Sequence, residues 1–344
     1  MLESERDASN LSDLILYSRN SFLYRGNALF QIATCVLTVL FSVKAFQLLY
    51  RRSVFHKSTR QLLFMSILYA DFHAMSYGFL QGWSLYRSIV YSTDIDHIIY
   101  TGEECYPVTW TVGAAKMSMI FIQFALTVER IIDRVCSSVS SSKQFKYQGI
   151  VLNVVALVAA LAMNLYSYSE GPTTTYKLQS CFMQKDIPLV RVMYALIVYL
   201  ALSFICLMVN GFIIVGLHRN KKKSFNLKVR FNIQEVKNSS FAVCIISAIQ
   251  SVAMFIYVVS NYGLFYFRNE ISIQYFHNIV LCVYAIPYAG LCLPISIILC
   301  VRWISEHRKI KIVEMTKTNR NETMDNRILQ LRNSWDAMAP PPKY

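Results

Sequence analysis

Charge is what this chain has little of. Asp, Glu, Lys and Arg make up 16% of its 344 residues, and hydrophobic residues make up 55%. Soluble domains carry about 25% charged residues, so the shortage points to a membrane protein. The nine cysteines include no Cys-x-x-Cys and no Cys/His ligand spacing, which leaves a structural zinc site with little support. Histidine is sparse and scattered. Only His73 lies well inside an apolar run, and no His/Asp set is expected to supply three metal ligands at one depth, which argues against a metal-dependent enzyme. No enzyme activity and no cofactor are expected. Residues 1–26 are polar and of mixed charge, so nothing there reads as a cleavable signal, and the first apolar run would itself be the insertion signal. The net charge of +14 does not gather into a patch suited to nucleic acid. It alternates between loops instead.

What the chain has in abundance is long apolar runs. Seven of them are long enough to cross a bilayer, at 28–49, 61–83, 108–128, 149–168, 192–217, 241–267 and 273–301. A helix needs about 20 residues at 1.5 Å each to span the hydrocarbon core. The expected fold is therefore all-α, an integral membrane bundle of seven transmembrane helices. Residues 1–26 form an outer segment, 27–302 the bundle, and 303–344 an inner tail that begins as an interfacial helix and ends flexible. The loops after runs one, three and five and the tail after run seven hold 24 Lys and Arg, and the opposite side holds 8. Cytoplasmic loops collect basic residues, so a plasma-membrane protein with its N-terminus outside and C-terminus inside is expected. Arg19 and Arg25, just before run one, are the strongest objection, and the following loop outweighs them. Asn10-Leu11-Ser12 is a glycosylation acceptor on the expected outer side. The Lys221-Lys222-Lys223 run suits contact with anionic membrane lipid. Cys136 and Cys300, at inner boundaries, are candidate palmitoylation sites.

The third run carries Cys105 at one mouth and Glu129-Arg130 at the other, about 37 Å apart along a helix. Cys105 and Cys181 are the cysteines expected in outer loops, where oxidation is permitted. A bridge between them would pin the second outer loop over the mouth of the bundle; the alternative is two free thiols. Within the membrane, Lys44 lies near the inner end of run one and can snorkel to the headgroups. Asp71 and Lys116 come out near the midplane, about 16 Å and 14 Å deep. They are expected to face the interior and interact, directly or through water. The alternative is that Lys116 binds an anionic group of a ligand.

Several segments together resemble a G-protein-coupled receptor of the nematode serpentine chemoreceptor class alpha group, with its alpha/beta and beta relatives. They are His56-Lys-Ser-Thr-Arg-Gln-Leu-Leu63 leading into run two, Cys105, Glu129-Arg130 closing run three, Cys181, and Arg230-Phe-Asn-Ile-Gln-Glu235 leading into run six. The resemblance covers about residues 25 to 312. It implies a receptor in sensory neurons that detects odorants or other environmental small molecules and signals through a heterotrimeric G protein, with Glu129 and Arg130 at the coupling end. Departures from rhodopsin-like receptors are visible. Leu293-Pro294-Ile-Ser-Ile297 keeps only the proline of Asn-Pro-x-x-Tyr, Ile131 stands where Tyr is common, and run six has no proline.

A retinal photoreceptor would need a lysine on the last helix, and run seven has none. The serious rival is a ligand-gated channel or transporter, with Asp71 and Lys116 lining a pathway near the midplane; no internal repeat supports it. A ligand pocket is expected to open outward between runs three, five, six and seven. Its candidate lining is Lys116, Met117 and Ile120, with Tyr257 and Asn261 on run six and Tyr284 on run seven.

Overall fold

The computed structural model describes residues 14–51, 55–139, 147–169, 177–178, 181, 186–219, 227–267, 270–271, 279–280, 282–321 and 332. Seven long helices carry the architecture: α1 (Phe22–Arg51), α2 (Lys57–Val90), α3 (Gly102–Val139), α4 (Gln148–Ser167), α5 (Asp186–Arg219), α6 (Leu227–Tyr266) and α7 (Ile286–Asn321). Helix α1 packs on α2, α2 on α3, α3 on α4, α5 on α6 and α6 on α7, and α7 returns to α1 to close the bundle. Helix α3 also meets α5 and α6. It is the axis of the molecule: 78% of its most apolar window is buried, against 22% for α4.

Among the described residues, six helices are long and apolar enough to cross a membrane, and α2 is the exception. Its 34 residues would reach about 51 Å, ample for a span. Asp71, His73, Ser76 and Gln81 dilute its apolar character. The outward faces stay apolar, with Leu29, Leu40, Phe79, Val151, Phe204 and Phe255 exposed. Helices that are apolar all round belong in lipid.

Lipid supplies no hydrophobic force to drive helix against helix, so packing and cross-helix hydrogen bonds hold such bundles. Gln31 Nε2 donates to the Tyr288 hydroxyl at 2.9 Å, linking α1 to α7, and the Tyr69 hydroxyl donates to Asn153 Oδ1 at 3.0 Å, linking α2 to α4. Asn210 Nδ2 donates to Thr127 Oγ1 at 3.0 Å, linking α5 to α3. The apolar core falls into two main clusters. Leu62, Ile67, Ile122, Ile246 and Ile297 belong to the one toward Arg130, and Tyr77, Met117, Tyr199, Tyr257 and Tyr284 to the one toward Cys105.

Three elements depart from expectation. The seventh run, taken as one span over 273–301, is not one helix: Tyr284 and Ala285 are non-helical and α7 starts at Ile286. Pro287 explains the break, because a proline fits the first turn of a helix and disfavours helical geometry in the residue before it. At its other end α7 runs unbroken through Arg302 to Asn321, so the tail expected from 303 begins inside a helix. At the opposite mouth, residues 14–20 are helical and lie against α2. Ser21 then starts α1, its hydroxyl accepting the Tyr24 N–H at 3.2 Å.

Arg19 and Arg25, which weighed against the expected orientation, are both engaged with α2. Arg19 donates to Ser84 Oγ at 2.7 Å, and Arg25 donates to the Ser88 carbonyl at 2.7 Å. Beside them a two-stranded antiparallel ladder joins β1 (Tyr100–Thr101) to β2 (Lys177–Leu178), with Tyr100 opposite Leu178.

Candidate functional site

Helix α3 begins with Glu103 and Glu104 in its first turn, where acidic side chains complement the helix dipole. Cys105 follows, and the structure bridges it to Cys181 with a Cα–Cα distance of 5.1 Å. The bridge is buried with Leu80 and Tyr100. It ties the segment after α4 to the top of α3. Arg87 reinforces the mouth by pairing with Glu104 and lying over the Tyr100 ring, 4.6 Å from its centroid.

Lys116 lies about 16 Å further along α3. Its residue is only 7% exposed, and its ammonium sits 5.8 Å from the centroid of the Tyr257 ring on α6. A ring of aromatic side chains continues from there. Tyr257 meets Tyr284 edge-on at 5.5 Å, Tyr284 packs on Tyr77 of α2 at 4.7 Å, and Tyr77 stacks with His73 at 5.7 Å. His73 Nε2 and the Tyr284 hydroxyl are 2.9 Å apart. The break before α7 is what frees Tyr284 to enter this cluster. Gly113, one turn from Lys116, lets α4 approach: a Cβ there would stand 2.6 Å from Asn164 Oδ1 and 2.9 Å from Tyr168 Cε2.

Most of the expected lining residues meet here. Met117, Ile120, Tyr257 and Tyr284 share one buried cluster, which Lys116 meets at Tyr257. Asn261 is partly buried, and its amide donates to the Tyr257 carbonyl at 2.6 Å, so that hydrogen bond is spent within α6. The contribution of α2 was missed: His73 and Tyr77 bring it into a site expected between α3, α5, α6 and α7. Their i,i+4 spacing, which puts two rings on one helix face, was the available signal.

Among the described residues, Asp71 and Lys116, expected to interact directly or through water, form no direct ion pair. Asp71 neighbours Ser42 of α1. Lys116 instead meets the Tyr257 ring. Depth alone suggested the pair, but two residues along a helix is a rotation of about 200°, so Asp71 and His73 face different neighbours.

A polar seam continues toward the other end. Gln123 of α3 donates to Gln250 Oε1 of α6 at 2.9 Å, and Gln250 donates to the Ala289 carbonyl of α7 at 2.8 Å. At the end of the seam, Glu129 and Arg130 are fully or almost fully buried and 3.0 Å apart. Thr59 of α2 donates to Glu129 Oε1 at 2.8 Å and accepts from Arg130, which also reaches Ser240 Oγ of α6 at 3.5 Å. One guanidinium thus joins α2, α3 and α6.

No His/Asp set was expected to supply three metal ligands at one depth, yet one histidine and two acids converge. Ligand atoms of His56, Glu129 and Asp133 lie within 4.8 Å of one another. Glu129 is already engaged by Thr59 and Arg130, so the arrangement serves the ion pair first. Cys300 is buried in the cluster at this end, which removes it as a surface site for palmitoylation. Asn10, the Lys221–Lys223 run and the Cys136 side chain lie outside the described residues.

A sequence profile described as serpentine type 7TM GPCR chemoreceptor Sra matches residues 7–335. The chain belongs to that family. Among curated relatives, this receptor is similar to serpentine receptor class alpha-33 of Caenorhabditis elegans, 29% identical over 90% of this chain and 93% of the relative. Serpentine receptor class alpha-32 of the same organism is 28% identical over 92% and 93%. Serpentine receptor class alpha-10 of Caenorhabditis briggsae is 25% identical over 92% and 95%. The receptor is thus a multi-pass membrane protein with the helix bundle its sequence led one to expect.

Proposed function

We propose that this receptor sits in the plasma membrane of a sensory neuron with its N-terminus outside. It binds a small environmental chemical at the Lys116–Tyr257–Tyr284 cluster and activates a heterotrimeric G protein at the Arg130 end. The observation that carries this is the layout of α3. The buried aromatic site, the Gln123–Gln250 seam and the Arg130 cluster follow one another along a single helix. A ligand that repacks α3 against α6 at the first would act on the Arg130–Ser240 contact at the last, and a charge cluster of that kind is a two-state element that binding can bias. The Lys and Arg asymmetry supports the orientation.

The experiment is calcium imaging of cells expressing the receptor with a promiscuous G protein, against a panel of volatile and water-soluble chemicals. A response abolished when the G protein is removed is the expected result. Stimulus-driven current that persists without any G protein would make the protein a channel instead. Glycosylation at Asn10 and an inaccessible C-terminal tag are expected in intact cells; both termini in one compartment would overturn the topology.

A further inference from the structure

We infer that the ligand of this receptor carries an anionic group, a carboxylate on a compact apolar or aromatic body, and that Lys116 is the cation that recognises it. The inference rests on the chemosensory function proposed above. Lys116 is 7% exposed and takes part in none of the ion pairs among the described residues, which are Arg87–Glu104, His97–Asp94 and Arg130–Glu129. Its ammonium meets the face of Tyr257 at 5.8 Å, and the histidine in the adjoining aromatic cluster, His73, brings no negative charge. Asp71 neighbours Ser42 on another face of α2. A cation taken out of water needs an opposite charge and hydrogen bonds to offset its desolvation, and an aromatic face alone offsets only part of that cost.

The surroundings are suited to the rest of such a ligand. Met117, Ile120, Tyr257 and Tyr284 form the apolar and aromatic wall. The Tyr199 hydroxyl of α5, on a residue that is 0% exposed, has no hydrogen-bond partner among the described residues. Tyr199 belongs to the same buried cluster as Met117, Tyr257 and Tyr284. A carboxylate seated on Lys116 with its body among the rings would supply the missing charge and offer an acceptor to a hydroxyl donor. Neutral or cationic analogues would leave the ammonium uncompensated or opposed.

Two measurements test this. In the first, purified ligand-free receptor in nanodiscs is melted with and without Lys116→Met. Removing an uncompensated buried cation is expected to raise the melting temperature by on the order of a few °C; a fall would show that Lys116 has a structural partner and overturn the inference. In the second, cells expressing receptor and promiscuous G protein are given benzoate-like and medium-chain carboxylic acids beside their methyl esters, alcohols and amines. Acids are expected to act alone, with Lys116→Met weakening them about ten- to a hundredfold at unchanged surface level and Lys116→Arg retaining part of the response. Equal potency of esters or amines, still dependent on the G protein, would overturn the anionic ligand and leave the receptor function standing. Responses independent of the G protein would overturn the receptor function itself.

Discussion

Arg130 on α3 and Ser240 on α6 face each other, with 3.5 Å between guanidinium nitrogen and hydroxyl oxygen. Their contact is the described hydrogen bond that links the Glu129–Arg130 pair to α6, while Thr59 secures the same pair to α2. A proposed coupling residue is therefore held between three helices with its charge already satisfied.

Loosening that hold is expected to raise signalling without ligand. A hydrogen bond to a charged group contributes about 1.5 kcal/mol or more, enough for roughly a tenfold change in a two-state equilibrium. Thr59→Val and Ser240→Ala should each increase basal nucleotide exchange on a reconstituted G protein. Arg130→Ala should abolish exchange while surface level is retained. Unchanged basal exchange in both hydroxyl variants would show that the cluster is not a restraint.

The seam between the two ends should be measurable as stability. Gln250 bonds at once to Gln123 and to the Ala289 carbonyl, and interhelical hydrogen bonds in membranes contribute about 0.6 to 1.7 kcal/mol each. Gln250→Leu should lower the melting temperature in detergent. Adding Gln123→Leu should cost less in that background than alone, since their shared bond is already gone.

Gly113 is expected to tolerate no side chain. Asn164 cannot retreat freely, because its amide donates to the Trp110 carbonyl at 3.1 Å and the residue is fully buried. Gly113→Ala should destabilise by about 1 to 3 kcal/mol through overpacking, and Gly113→Leu by more, read as loss of monodisperse receptor on size-exclusion chromatography. Equal melting of Gly113→Ala and the parent would mean that α4 moves aside.

Cys105 and Cys181 should behave as one unit. Losing either thiol removes the same bridge, whose contribution is typically about 2 to 4 kcal/mol. The single serine variants and the double variant should therefore reach the cell surface at equal, reduced levels by flow cytometry. A double variant clearly worse than either single one would argue that each thiol has a separate role.

Much of this protein was legible in one dimension. Seven apolar runs predicted seven helices because length and hydropathy are local quantities, and lipid forces each span to satisfy its own backbone. The spacing of Cys105 and Arg130 placed them at opposite ends of α3 for the same reason. Legibility was weakest where one face of a helix had to be chosen over another. Asp71 and Lys116 were matched by depth, and depth is local, but which face of α2 meets α3 is not. His73 rather than Asp71 joined the aromatic cluster that Lys116 meets at Tyr257. Pro287 announced the break in the seventh run, yet the apolar residues on both sides of it concealed that signal.

Length, apolar content and basic asymmetry, all additive along the chain, determined by themselves that this is a helical membrane bundle with a definite expected orientation. Rotation of each helix about its axis decided the remainder: the convergence of α2 on the Lys116 site, the engagement of Arg130 by Thr59 and Ser240, and the meeting of His56, Glu129 and Asp133. Those rotations follow from side-chain packing among all seven helices at once, and no single helix contains that information.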